Sequence, residues 1–173
     1  MTFAKKLHMP LILMGGVLLG FTSMAHAQGT PVCGARQVTL STSDGEGMNG
    51  MSHAGTVLKL DNHSRTACSL PAMPRLVFED ARHRTLKITS RAIPGMHPGP
   101  VMLPLTVLAH GSVSSEVQWV SGDVYDHSAC ITPAYVTLQL DNQELRAPFH
   151  GGRMCGPQDQ GPTYQAGAFR RLP

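Results

Sequence analysis

The chain has 173 residues, which is enough for one domain. Its formal net charge is only +3, and two of its basic residues, Lys5 and Lys6, lie in a leader segment that we expect to be removed. A charge this small excludes the basic surface that nucleic-acid-binding proteins need. We therefore predict that the protein has no nucleic-acid partner.

The first 27 residues have the pattern of a secretory signal peptide. A basic start precedes an apolar run at 11–21, and Ala25-His26-Ala27 places small residues where the leader is cleaved. The apolar run is too short to cross a bilayer, which takes roughly 20 residues, and no later stretch is long enough either. We predict cleavage before Gln28 and a mature protein in the periplasm, or secreted, without a membrane span. An uncleaved anchor is the alternative.

Short segments of alternating apolar and polar residues follow the leader, and this period of two is typical of half-buried strands. Turn residues such as Asp61-Asn62-His63-Ser64 separate them, and no segment has the pattern of an amphipathic helix. The single tryptophan, Trp119, is predicted to be a core residue. The predicted strands are 36–42, 56–61, 76–78, 86–88, 101–108, 113–119, 136–140 and 145–149.

This spacing of short strands predicts an all-β fold, specifically a two-sheet, immunoglobulin-like β-sandwich of about seven to eight strands. We expect residues 28–173 to form a single domain. Its last part, 150–173, is rich in Gly, Pro and Gln and is predicted to be an extended tail, with Tyr164 and Phe169 as its large apolar anchors.

Four cysteines in a chain that is predicted to be exported indicate two disulfides, and their wide spacing includes no CxxC motif. Cys33 precedes the first predicted strand and Cys68 follows the second, so a hairpin of these strands would bring them together. Cys130 and Cys155 flank the last two predicted strands in the same way. We predict the pairs Cys33–Cys68 and Cys130–Cys155, although sequence alone leaves the other two pairings open.

Several motifs resemble a known family. A strand ends in Asp61-Asn62, Cys68-Ser69-Leu70-Pro71 precedes Pro74, and a His110-Gly111 turn leads to a strand ending in Val117-Gln118-Trp119. These features resemble exported bacterial domains classed as domain of unknown function 4232, and residues 48–53, 95–100 and 119–126 are similar to its proteobacterial branch. His110 and Ala72 stand where glycine is common in that family. The resemblance implies an exported β-sandwich and no particular activity.

Two loops rich in methionine and histidine suggest metal chemistry. Thioether and imidazole groups are soft ligands that select copper, above all Cu(I). A copper-binding function is therefore the alternative prediction, provided that the two loops meet in space. Methionine also fills irregular packing gaps, which is the structural explanation of the same residues. The predicted ligands are Met48, Met51 and His53 in the first loop and Met96 and His97 in the second, with Met102 just beyond.

The loop at 122–130 is the candidate binding loop. It carries Asp123, Tyr125, Asp126 and His127 next to Cys130, and a tyrosine in a loop fixed by a disulfide is suited to contact a partner. The alternative is that Tyr125 only packs on one end of the sandwich. Asp126-His127-Ser128 has the residue types of a hydrolase triad, but adjacency in sequence does not create triad geometry. Neither a GxSxG nor an HExxH motif occurs. We predict a non-catalytic binding or structural module whose partner is another exported protein.

Overall fold

The computed structural model describes residues 29–44, 49–93, 101–141 and 143–172. Every regular secondary-structure element in these ranges is a strand, as the alternating sequence pattern predicts, so the all-β fold is confirmed. In chain order the strands are β1 (Val38–Asp44), β2 (His53–Asn62), β3 (Cys68–Leu70), β4 (Arg75–Glu79), β5 (Thr89–Ser90), β6 (Leu105–Val107), β7 (Ser112–Val120), β8 (Ser128–Ile131), β9 (Tyr135–Leu140), β10 (Gln143–Pro148), β11 (Met154–Pro157), β12 (Thr163–Ala166) and β13 (Arg170–Arg171).

The long strands β2 and β7 form the centre of the largest sheet. They pair antiparallel from His53↔Val120 to Asp61↔Ser112, and β1 pairs with the other side of β2. Three short strands, β13, β12 and β11, pair with β7 one after another along its length. The main path of the sheet is β1-β2-β7-β11-β8, and β5 joins it through β12. The end of β7 thus lies beside β11, and β8 pairs with the other side of β11 at the edge of the sheet.

Two smaller sheets complete the described fold. β9 pairs on one side with β10 and on the other with β4, and β3 pairs with β6. An aromatic row connects the three-stranded sheet to the largest one: Phe78 packs edge-on against Phe149 and Tyr164, with ring centroids 5.2 Å apart in both pairs. Trp119 continues the row at 5.3 Å from Phe149. Pairs of this kind contribute about 0.5–1.5 kcal/mol each beyond the area that they bury.

Trp119 is buried, which confirms its predicted place in the core. Its indole N–H donates to the carbonyl of Arg153 at 3.0 Å, so the polar end of the side chain is satisfied. The packing on Phe149 and this hydrogen bond hold the end of β7 in place. The candidate binding loop begins directly after that strand end.

Both predicted disulfides are present. Cys33 joins Cys68 for the predicted reason, because β1 and β2 form a hairpin in which Val38 faces Asn62 and the two open ends meet. Cys130 joins Cys155, but these residues do not sit at the open end of the β9–β10 hairpin as expected. Cys130 lies in β8 and Cys155 in β11, and the two face each other directly in the register of that strand pair.

Two details of the predicted architecture differ from the structure. The predicted count of seven to eight strands was wrong, because the described residues contain thirteen. They form sheets of eight, three and two strands, and an immunoglobulin-like arrangement of two sheets stays a prediction. The segment 150–173, expected as a tail, contributes β11, β12 and β13. Its Met154 is fully buried, and the expected anchors Tyr164 and Phe169 are buried as well. No helix in the described ranges has the length and apolarity to cross a membrane.

Candidate binding site

The loop between β7 and β8 carries the predicted binding residues and is fixed at both ends. At its start, the backbone N–H of Ser121 donates to the carbonyl of Ser52 at 2.8 Å. At its end, the backbone N–H of Gln158 donates to the carbonyl of His127 at 3.0 Å, and the Cys130–Cys155 disulfide follows. A loop held in this way presents its side chains with little conformational entropy left to lose on binding.

Tyr125 is half-buried and lines two cavities at once. The larger one, of about 440 Å³, opens between the binding loop and the turn that follows β11, and its lining is mostly apolar. We call it the loop depression; it is lined by Tyr125, Asp126, His127, Pro157, Gln158 and Asp159. The smaller one, of about 160 Å³, includes Arg91, Gln118 and Gln165 in its lining besides Tyr125. One aromatic residue therefore contributes to the lining of two concave surfaces.

The rim of the loop depression is acidic. Asp126 and Asp159 are both exposed, and in the described part of the chain neither forms an ion pair. Asp123 is also exposed but does not line the depression. His127 lies on the same rim. An apolar cavity with carboxylates at its mouth suits a side chain that has an apolar stem and a positive tip.

A larger depression, of about 580 Å³, lies beside the β9–β10 hairpin. Arg75, Asp141 and Glu144 are among its lining residues, and Arg75 lies 3.6 Å from Asp141. This surface is polar and has no aromatic wall. Because binding energy is concentrated at aromatic and arginine anchors in desolvated pockets, its volume alone does not make it the stronger site.

The triad-like run Asp126-His127-Ser128 has no triad geometry in the structure. The Ser128 hydroxyl donates to the carbonyl of Tyr125 at 3.5 Å, and among the described contacts these three side chains form no hydrogen bond with one another. A nucleophile needs a base within hydrogen-bonding reach, and that base needs a partner that orients it. The three side chains are therefore arranged as separate residues of a loop and not as a catalytic triad.

Three of the predicted copper ligands, Met48, Met96 and His97, lie outside the described residues. Met51 and His53 are both exposed, and the Nδ1 atom of His53 lies 3.3 Å from the hydroxyl of Ser52. Within the ranges that the structure describes, no group of three or more His, Cys, Asp or Glu residues is placed to hold a metal ion. Because the methionine-rich loops are not both described, the copper hypothesis stays a prediction.

A buried carboxylate, which the sequence pattern did not reveal, lies on the three-stranded sheet. Glu79 at the end of β4 receives hydrogen bonds from Thr137 Oγ1 at 3.2 Å and from Arg146, whose Nε lies 3.0 Å from Oε2. Nδ1 of His83 lies 3.3 Å from the same oxygen, and the His83 ring stacks on Tyr135. Burial raises the pKa of Glu79, but the hydrogen bonds from Arg146, His83 and Thr137 outweigh it and hold the pKa below its ordinary range.

Glu79→Gln is expected to destabilise the protein by about 1–2 kcal/mol at pH 7, because charge-assisted hydrogen bonds contribute more than neutral ones. A lowered pKa in the folded state gives stability that is complete above the ordinary pKa of glutamate in the unfolded chain and is lost as the pH falls through the folded-state pKa. The difference between wild type and variant in urea-induced unfolding should therefore shrink between pH 7 and pH 3.

The matched control for that prediction is Glu144→Gln, which removes an exposed carboxylate from β10. It should leave the free energy of unfolding nearly unchanged. Equal losses in the two variants, or a Glu79→Gln difference that stays constant with pH, would show that the buried network does not stabilise the fold through its charge.

The described residues define a class: an all-β domain with two disulfides and a concave surface beside the Tyr125 loop. A family model described as Domain of unknown function (DUF4232) matches residues 33–170. The chain belongs to this family, which confirms the resemblance at the level of the family, whereas its place in an exported, proteobacterial branch stays a prediction. No curated protein and no solved structure matches the chain.

Proposed function

We propose that the protein is a non-catalytic binding module that acts outside the cytoplasm, in the periplasm, and contacts another exported protein through the face around Tyr125. Two disulfides fit a protein of an oxidising compartment. The binding face consists of the loop at 122–127 and the loop depression beside it. This is the same loop that the sequence pattern indicated.

The observation that carries the proposal is that Tyr125 lines both concave surfaces beside the binding loop. A tyrosine brings a large contact area and few rotatable bonds, and such residues dominate binding energy at interfaces. The loop that presents Tyr125 is already fixed by its backbone hydrogen bonds and by the adjoining disulfide. Binding would therefore cost little ordering of this loop.

The test is site-specific photo-crosslinking in living cells. A photoreactive phenylalanine analogue replaces Tyr125 in one variant and Glu144, an exposed residue of β10, in the control. We expect a discrete crosslinked adduct with a second exported protein at position 125, and only background at position 144. Equal adduct patterns at the two positions, or no adduct at 125, would overturn the proposed face.

The proposed compartment has a separate test. Expression of the full chain should yield a mature protein that begins at Gln28 and is released with the periplasmic fraction. Because cleavage needs small residues before the cut, Ala27→Arg should block processing and keep the longer chain on the membrane. N-terminal sequencing that finds Met1 or Thr2 on the wild-type protein would contradict export by a cleaved signal peptide.

A further inference from the structure

The strand β8 has backbone hydrogen-bonding groups that no described residue uses. In an antiparallel pair, hydrogen-bonded and non-hydrogen-bonded residue pairs alternate. Gln158 bonds to His127, so the next pair, Ser128 with Pro157, is non-hydrogen-bonded, and Pro157 has no N–H to give. Cys130 and Cys155 form the next non-hydrogen-bonded pair, in agreement with their short Cα–Cα distance of 4.1 Å.

It follows that the N–H and C=O groups of Ser128 and Cys130 point away from β11. Within the described part of the chain, none of these groups forms a hydrogen bond, and β8 pairs only with β11. The free edge therefore presents two donors and two acceptors at the spacing of a strand. This arrangement is the one to which an extended peptide adds as a further strand.

Edge strands normally carry charges or prolines that prevent such pairing. The edge strand β10 follows this rule, since it contains Glu144, Arg146 and Pro148. β8 has the sequence Ser-Ala-Cys-Ile, without charge or proline, and the disulfide to β11 holds it in place. An edge that is both unprotected and rigid is suited to a partner strand.

We infer that an extended segment of the partner protein pairs with β8 and places a lysine or arginine side chain in the loop depression. This inference rests on the proposed function and specifies its partner. The lining of the loop depression includes His127, the residue directly before β8, so the part of a partner strand that extends past Ser128 would lie next to the depression. Backbone pairing gives affinity, and the depression gives specificity.

The charge of the rim selects a basic side chain. The stem of an arginine would pack on Pro157 and Tyr125, and its guanidinium would reach Asp126 and Asp159, both exposed and without ion pairs in the described residues. Tyr125 adds a ring face on which a guanidinium can stack. An acidic side chain at the same place would meet two like charges.

The probes are three capped decapeptides of alternating threonine and valine that differ at one central position: arginine, its neutral isostere citrulline, or glutamate. Binding is measured by changes in the backbone amide signals of the isotope-labelled mature protein. We expect the arginine peptide to bind at least about tenfold more tightly than the citrulline peptide, a change that corresponds to about 1.4 kcal/mol, and the glutamate peptide most weakly.

Variants separate the two parts of the site. Asp126→Asn combined with Asp159→Asn should remove the preference for arginine over citrulline, whereas Asp123→Asn, in the same loop but outside the depression, should keep it. Ser128→Pro removes an N–H that points away from β11 and leaves the hydrogen bonds to β11 in place. It should therefore weaken the binding of all three peptides to the same extent. The thermal unfolding of each variant shows that it is folded.

Equal binding of the arginine and citrulline peptides to the wild type would overturn the inference that the loop depression binds a basic side chain. Amide changes on other strands would overturn the inference that the peptide pairs with β8. Self-association of the chain through β8 without added peptide would also overturn the inference, since a second copy would then be the occupant. If crosslinking at Tyr125 succeeds while these peptide tests fail, the binding face stands and only its assigned partner chemistry is wrong.

Discussion

Asn62→Asp is expected to destabilise the protein by about 3–5 kcal/mol at pH 7, because it leaves an uncompensated charge in the interior. The Asn62 side chain is buried and uses all its hydrogen-bonding groups. Its amide donates to the carbonyls of Thr66 and Leu108, both at 2.9 Å, and its oxygen accepts from the backbone and hydroxyl groups of Ser64. This one residue ties the turn after β2 to the turn before β7, and a carboxylate there would face two carbonyl oxygens.

Chemical unfolding at several pH values measures this effect. In the variant, the carboxyl group would have its pKa raised by burial and by the two carbonyls, so the loss should diminish as the pH falls through this raised folded-state pKa and should be smallest near the unfolded-state value of about 3.9. Asn49→Asp is the matched control, because Asn49 is exposed and, among the described residues, its side chain only accepts a hydrogen bond from the Gly55 N–H. Similar stability losses in both variants would show that Asn62 has no special role.

Removing either disulfide by paired Cys→Ser substitution is expected to cost about 3–4 kcal/mol in the loop-entropy model. The Cys33–Cys68 bond separates its cysteines by 35 residues and the Cys130–Cys155 bond by 25, so the first should contribute slightly more. The free energy of unfolding of the two double variants, compared with the wild type without reductant, measures the difference. A loss below about 1 kcal/mol in either variant would contradict a structural role for that bond.

The two disulfide variants should differ in function. Loss of the Cys130–Cys155 bond frees β8 from β11 beside the binding loop, so it should weaken crosslinking at Tyr125 and peptide binding at the edge. Loss of the Cys33–Cys68 bond, which joins the β1–β2 hairpin ends, should leave both unchanged in protein that remains folded. Equal functional losses in the two variants would show that the second disulfide does not specifically order the site.

Local sequence patterns are sufficient to predict the longer strands. Alternation with period two identifies the segments that become β1, β2, β7 and β9, because each buries one face against a neighbouring sheet. A hairpin of β1 with β2 brings Cys33 close to Cys68, so the pairing of these two cysteines follows from the strand pattern as well. Trp119 lies on the apolar face of β7, and the same alternation predicts its place in the core.

The remaining features depend on contacts between distant residues, which a local pattern does not encode. β11 contains a glycine and a proline and has the composition of a tail, yet it becomes a strand because β7 and β8 lie on both sides of it. Glu79 directly follows the buried Phe78 and breaks the alternation of β4. Its burial depends on hydrogen-bond partners that are distant in sequence, Thr137 on β9 and Arg146 on β10. The loop depression is lined by residues before β8 and by residues at the end of β11 and after it. The sequence pattern indicated the first group but not the second.

Residue-resolved amide hydrogen exchange on the mature protein, alone and with the arginine peptide, tests the binding edge most directly. In the free protein, the amides of Ser128 and Cys130 should exchange quickly, while those of Ala129 and Ile131 should be protected by β11. Addition of the peptide should protect Ser128 and Cys130 and shift the ring signals of Tyr125. Uniform protection of all four amides in the free protein, or no change with peptide, would contradict a partner strand at β8.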